Sequence, residues 1–218
     1  MLKRILHWLI VVLVPIVLVL GAVRLLLTPA FIQIEYRMPN FPEDSYGFSR
    51  EERLHWAEIA RQYLLNPAGI EFLGDLTFED GSPLYNQREL RHMRDVKVVV
   101  KAAMGVLYTS LTLMIGAGIW ARRADWWGQY RRALSCGGWV TVGLLVFLIV
   151  AIALSFNTVF VAFHQVFFEG DTWIFRYSDT LIRLFPVRFW RDAFVTVGLL
   201  ALSGGLALGY FFGRPPKR

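Results

Sequence analysis

Residues 84–121 read LYNQRELRHMRDVKVVVKAAMGVLYTSLTLMIGAGIWA. The first fourteen are mostly polar and charged, and from residue 98 the stretch is apolar. About 20 apolar residues cover the hydrocarbon core of a bilayer as a helix. Asn86, followed three residues later by Glu89, has the pattern of a capping box, which marks a helix start. The helix begun there is expected to run unbroken into the span. His92 then stands about one and a half turns beyond the end of the span, on a rigid stalk.

Three further apolar runs are long enough to cross: residues 5–27, 138–156 and 193–212. With 56% hydrophobic residues in 218, the chain is not patterned as a soluble domain. Lys3 and Arg4 precede the first run, as in a signal peptide. Its apolar stretch is too long and no clear small-x-small site follows, so it reads as an uncleaved anchor. Arg24 near its end can snorkel outward. The expected fold is an α-helical integral membrane protein, with four transmembrane helices and a mixed α/β extracytoplasmic segment. Its divisions are 1–27 (N-terminus and first span), 28–97 (outer segment), 98–121 (second span), 122–137 (inner loop), 138–156 (third span), 157–192 (outer interfacial segment) and 193–218 (fourth span and C-terminus).

Charge sets the orientation. Residues 1–4, 122–135 and 213–218 hold nine basic side chains (Lys3, Arg4, Arg122, Arg123, Arg131, Arg132, Arg214, Lys217, Arg218) and one acid, Asp125. The positive-inside rule makes these short segments cytoplasmic. Trp120, Trp126, Trp127, Tyr130 and Trp139 suit an inner aromatic belt. The net charge of +6 is thereby topological and calls for no nucleic acid.

In the larger outer segment, residues 31–36 (FIQIEY) alternate with the period of a strand, and residues 72–78 suit a second strand closed by the turn Glu79-Asp80-Gly81. Between them, Ser49 with Glu52 caps a helix. Its apolar face is Trp56, Ile59, Ala60, Tyr63 and Leu64, and Asn66-Pro67 ends it. The smaller outer segment carries Phe160, Phe163, Phe167, Phe168, Trp173 and Phe175 among His164, Glu169, Asp171, Arg176, Asp179 and Arg183. It reads either as an interfacial helix or as a continuation of the third span. Gly204-Gly205 in the fourth span and Gly116 and Gly118 in the second allow close helix packing.

The single cysteine, Cys136, lies at the inner end of the third span. Disulfide exchange within the chain is excluded, and this thiol, read as buried and inert, is about a bilayer thickness from the outer face. His7 reads as interfacial and His55 as solvent-facing. His92 and His164 lie just outside the bilayer on one side, and they titrate near neutrality. Ionisable groups beside apolar spans tend to mark function. The pair suggests acid–base chemistry on a lipid-linked substrate. Asp95 on the same helix and Asp171 and Asp179 near His164 are placed to orient or charge the rings, or to pair with Arg176 and Arg183. Tyr85 and Asn86 are candidates for binding a carbonyl or headgroup, with Asn86 also a plain cap. The residues alone leave two rivals open. One is a metal-dependent hydrolase with His92, His164, Asp95, Asp171 and Asp179 as its shell, although no HExxH-like spacing occurs. The other is a lipid-binding or assembly protein without chemistry.

Residues 84–97 (LYNQRELRHMRDVK) and 163–194 (FHQVFFEGDTWIFRYSDTLIRLFPVRFWRDAF) resemble the lipoprotein intramolecular transacylase family, and the four-span layout with a large first outer segment is similar too. The resemblance implies a bacterial membrane acyltransferase. It would move the sn-2 acyl chain of a diacylglyceryl lipoprotein to the α-amine of its N-terminal cysteine, leaving a lyso-form lipoprotein. The family's essential histidines fall on His92 and His164. Tyr85, Asn86, Asp95, Asp171, Trp173, Arg176 and Asp179 become supporting or substrate-binding candidates. The partners implied are the lipoprotein and membrane lipid. The substrate brings both its nucleophile and its acyl group, so no cofactor, metal or serine elbow is called for.

Overall fold

The computed structural model describes residues 1–168 and 170–214. Lys217, Arg218 and Glu169, counted above, lie outside them. Nine helices form among the described residues: α1 (Leu2–Leu26), α2 (Pro29–Glu35), α3 (Arg50–Leu65), α4 (Glu71–Gly74), α5 (Gln87–Arg123), α6 (Trp127–Leu154), α7 (Phe156–Phe167), α8 (Thr180–Leu184) and α9 (Val187–Gly213). Of these, α1, α5, α6 and α9 are long and apolar enough to cross a membrane. The chain divides into two compact units.

The first unit comprises Met1–Leu25, Ala103–Leu154 and the chain from Val195 onward. Its core is Ile10, Val11 and Val14 of α1 against Met114, Ala121, Trp126, Tyr130 and Leu134. Glycines set its closest approaches. A Cβ on Gly138 would sit 2.6 Å from the Gly205 carbonyl oxygen, and one on Gly137 2.6 Å from Val14 Cβ. Only glycine lets backbones come that near. Gly204 and Gly118 also meet neighbours, whereas Gly116 faces open space and contributes no such contact. Trp126 and Tyr130 are core residues, not belt residues: both are buried, and the Tyr130 hydroxyl donates to the Met114 carbonyl at 2.9 Å. Cys136, expected to be buried, is exposed. The outer faces of the helices remain apolar, with Phe147 76% exposed. In water such a surface would aggregate, and in lipid it is solvated.

The second unit comprises Leu26–Ala102 and Ser155–Phe194. Helix α5 begins where the sequence indicated. The Asn86 side-chain oxygen accepts from the Arg88 and Glu89 amides, and Glu89 accepts in return from the Asn86 amide at 2.8 Å. At 1.5 Å per residue its 37 residues extend about 55 Å, well beyond a hydrocarbon core of about 30 Å. Residues 87–97 therefore form a stalk outside the apolar span. The Ser49–Glu52 capping box forms in full, and α3 ends at Leu65 before Asn66-Pro67.

The mixed α/β expectation is not met. Residues 31–36 belong to helix α2 and its C-cap, because Pro29 enters at the first helical turn after Thr28 and suits that position. Ile32 and Tyr36, one helical turn apart, then share a cluster with Ala57 and Phe189. Residues 72–78 contribute the short helix α4, with Leu73 fully buried, and then a single antiparallel bridge between Thr77 and Pro83. The turn between them forms, with Gly81 at φ 81°. A seven-residue loop folded back on itself leaves no room for a ladder. Helix α6 ends at Leu154, and Ser155 takes an extended conformation and caps α7. The third span therefore does not continue through His164.

Candidate active site

His92 and His164 both lie in the second unit, and their rings come together. The centroids are 6.2 Å apart with planes 20° from parallel. His92 is held by the stalk of α5, and His164 by the last turns of α7. Around His92 pack Phe168 at 5.0 Å and Phe175 at 5.2 Å; around His164 pack Phe160 at 4.2 Å and Trp173 at 4.8 Å. The aromatic run thus packs around the two rings.

The rings differ in environment. His164 is half-buried, and its Nδ1 lies 2.8 Å from the Phe160 carbonyl one turn earlier. A carbonyl only accepts, so Nδ1 carries the proton and donates, leaving Nε2 with a free lone pair. His92 is 9% exposed, and its Nδ1 has no hydrogen-bond partner among the described residues. Burial, and then the neighbouring His164, holds the His92 imidazole well below its ordinary value, at about 4. Burial also lowers His164, opposed by the bond to Phe160, which favours the charged ring. Both rings are therefore neutral at pH 7. His92 is the drier of the two, although its sequence neighbours are polar and those of His164 are aromatic. The neighbouring Arg91 and Asp95 are exposed, while Phe168 and Phe175 pack on the His92 ring.

Of the other candidates, Trp173 touches His164 directly. Tyr85 is buried, with an unpartnered hydroxyl among the described residues. Asn86 donates through Nδ2 to Asp179 at 3.1 Å, and Asp179 also accepts from the Arg176 amide at 2.8 Å. This fastens the loop of residues 171–179 to the start of the stalk. Asp95, Asp171 and Arg176 are exposed, and neither aspartate bonds to a histidine among the described residues. Arg183 pairs instead with Asp44 at 2.9 Å. Among the described residues no three His, Cys, Asp or Glu side chains are grouped to hold a metal, so the proposed His₂-carboxylate shell is not assembled.

One supporting residue escaped the sequence reading. Glu89, one turn before His92, is 1% exposed and accepts from the Leu181 amide at 2.6 Å as well as from Asn86. It caps α5 and ties α8 to it. Burial raises its carboxyl to about 7, against the lowering effect of those amides. The capping-box spacing reveals the first bond, and nothing local reveals the second.

The sequence profile of the family described as lipoprotein intramolecular transacylase Lit matches residues 8–190. An uncharacterised protein of Aquifex aeolicus is 29% identical over 204 residues, covering 94% of this chain and 91% of that one. Two solved structures of the membrane-integral lipoprotein intramolecular transacylase Lit from Bacillus cereus share the fold. One has a TM-score of 0.68 at 18% identity, covering 95% of this chain and 92% of that one. The other, a histidine-to-alanine mutant, has a TM-score of 0.71 at 19% identity, covering 97% and 92%. With its profile match spanning most of the sequence, the chain belongs to the lipoprotein intramolecular transacylase family.

Proposed function

We propose that His92 and His164 form the acid–base centre of an O-to-N acyl transfer within one diacylglyceryl lipoprotein. The observation that carries this reading is the pairing of two neutral rings among aromatic side chains, one with its tautomer set by the Phe160 carbonyl. The free Nε2 of His164 takes a proton from the α-amine of the N-terminal cysteine. That amine, with a reference pKa of about 7.7–8.0, is well matched to an imidazole base. The nitrogen attacks the sn-2 ester carbonyl, and the N–C bond forms. His92, kept neutral by burial, donates a hydrogen bond to the resulting oxyanion from the ring nitrogen that carries its proton. The His164 imidazolium, stabilised by Phe160, then returns the proton to the glycerol oxygen as the C–O bond breaks. Amine and ester are held on one molecule, so effective molarities of about 10⁵–10⁸ M are available to the step. Asn86, Asp179 and Arg176 support the site by fixing the loop that carries Trp173.

In this reading residues 98–121, 138–154 and the apolar parts of α1 and α9 span the bilayer, the nine-to-one basic segments are cytoplasmic, and the histidines face outward. Helix α7, with no fully buried residue and Val166 76% exposed, lies at the membrane interface.

Purified protein, given a diacylated lipopeptide in chelator-treated detergent, should place the acyl chain on nitrogen without added phospholipid, as read by mass spectrometry. Transfer only when a separate phospholipid donor is supplied would overturn the intramolecular reading. Stoichiometric zinc in active preparations would favour the hydrolase instead. A cysteine at Ser45 should label from outside, and labelling only from the cytoplasm would reverse the orientation.

A further inference from the structure

We infer that the indole N–H of Trp173, with the hydroxyl of Thr172 beside it, is a hydrogen-bond donor set for the carbonyl oxygen of the ester under attack. The inference rests on the transacylase reading above and adds to His92 the further donors that an oxyanion site needs. Trp173 Nε1 and Thr172 Oγ1 are buried and have no partner among the described residues; His92 Nδ1 shares that condition. A buried polar group left unpaired costs roughly 1–3 kcal/mol, and buried tryptophan N–H groups normally find an acceptor. Three such atoms on one short loop and the histidine pair mark a place prepared for a ligand's polar atoms.

The chemistry of the atoms narrows the ligand. An indole N–H only donates, so its partner is an acceptor, and a hydroxyl can donate to the same atom. The Trp173 ring lies 4.8 Å from the ring of His164, so the indole stands beside the histidine whose Nε2 is open. The substrate acceptor that forms there is the ester carbonyl oxygen, which becomes an oxyanion in the tetrahedral state. Its charge develops beside Phe160, Phe168 and Phe175, apolar surroundings in which a fixed donor acts more strongly than in water. The loop is held for this task by Asp179, through Asn86 and the Arg176 amide.

The alternative is that Trp173 only packs. Replacing it with 3-benzothienylalanine keeps the bicyclic shape and substitutes sulfur for N–H, and Trp173→Phe keeps an aromatic ring. Both should lower kcat for N-acylation of a diacylated lipopeptide by about 10²–10³-fold, the usual loss for one oxyanion donor, with KM within about threefold. Thr172→Val should cost less, and the double variant should exceed either. Binding of a non-transferable diacylglyceryl phosphonate, an oxyanion mimic, should weaken in parallel while binding of the unreacted lipopeptide holds. A benzothienylalanine variant within about threefold of wild type in kcat and phosphonate binding would overturn the inference and leave the transacylase reading intact. Wild-type protein that transfers no acyl group would overturn both.

Discussion

The two units differ in what they bury. Within the first, the buried polar side chains among the described residues are Ser110, Ser135 and Thr141, with no charge among them. Its contacts are glycine crossings and apolar interdigitation, and hydroxyls such as Ser135 return to backbone carbonyls, here Gly209 at 2.9 Å. Within the second, Glu35, Arg53, Glu89, His92 and Lys97 are all buried. Most are enclosed by specific partners. Lys97 donates to Asn66 and to the Ala68 carbonyl and lies 3.9 Å above the Tyr63 ring, while Arg53 donates to Pro42. Lipid offers no hydrogen bonds, so a bundle there closes on shape. A unit that performs proton transfer must bury ionisable groups, and it does so by satisfying their neighbours. Among these groups, Glu35 Oε1, Arg53 Nε and His92 Nδ1 lack a partner among the described residues, and His92 is the one whose ring meets a second histidine. The comparison therefore separates a unit closed by shape from one that buries ionisable groups, His92 of the proposed histidine pair among them.

Variants sharpen this contrast. The largest effect is expected from the histidines. His164→Ala and His92→Ala should each lower the transfer rate by about 10²–10⁴-fold, the range for a general acid–base group, with the bundle still folded. An active His164→Ala enzyme would break the assignment. Next is the pH dependence of stability. His92 has a folded value of about 4 against 6.5 for a free imidazole, so the unfolded chain takes up the proton first as pH falls. Its contribution is present above pH 6.5 and is lost by about pH 4, a change of about 3 kcal/mol. Glu89 runs the other way. With its folded value raised to about 7 from 4.5, its contribution is present at low pH and fades as pH rises through 7. The His92→Gln variant isolates the first effect: its stability should fall less than wild type between pH 6.5 and 4, as followed by denaturation in detergent. Equal slopes would show that His92 is not buried neutral.

In the first unit, Gly138→Ala should destabilise by about 1–3 kcal/mol, since its Cβ would overlap the Gly205 carbonyl. Activity per folded molecule should stay near wild type, and a drop in kcat without a lower melting temperature would blur the division between the units. Smallest of all is Cys136→Ala. The thiol is exposed on the bundle and takes no part in the chemistry, so both rate and melting temperature should be unchanged, as a paired assay and melt would verify.

Where local chemistry controls the outcome, reading residues one element at a time was enough. The four long apolar helices follow from length and hydropathy alone. The Ser49–Glu52 and Asn86–Glu89 boxes follow from a three-residue spacing, and the stalk follows from an uninterrupted helix. The strand expected over residues 31–36 failed because a short alternating run carries the same apolar count as two turns of a helix. Pro29 before FIQIEY, and the fit of Ile32 and Tyr36 to Ala57 and Phe189, chose the helix. Trp126 looked like a belt residue because aromatic composition cannot distinguish lipid-facing from inward-facing sides of a helix.

The sequence by itself determined that this chain is built for a membrane, that His92 stands on a rigid polar stalk, and that an aromatic segment carries His164. Each is a property of a contiguous stretch, enforced by backbone hydrogen bonding and the cost of exposing apolar surface. Only the tertiary structure decided that the two rings meet, that His92 is the drier, that Glu89 caps a second helix, and that Arg183 pairs with Asp44 rather than Asp171 or Asp179. These partners lie far apart along the chain, and their pairing depends on how the outer helices pack. Solvent exclusion, which sets the protonation of the pair, exists only once that packing is complete.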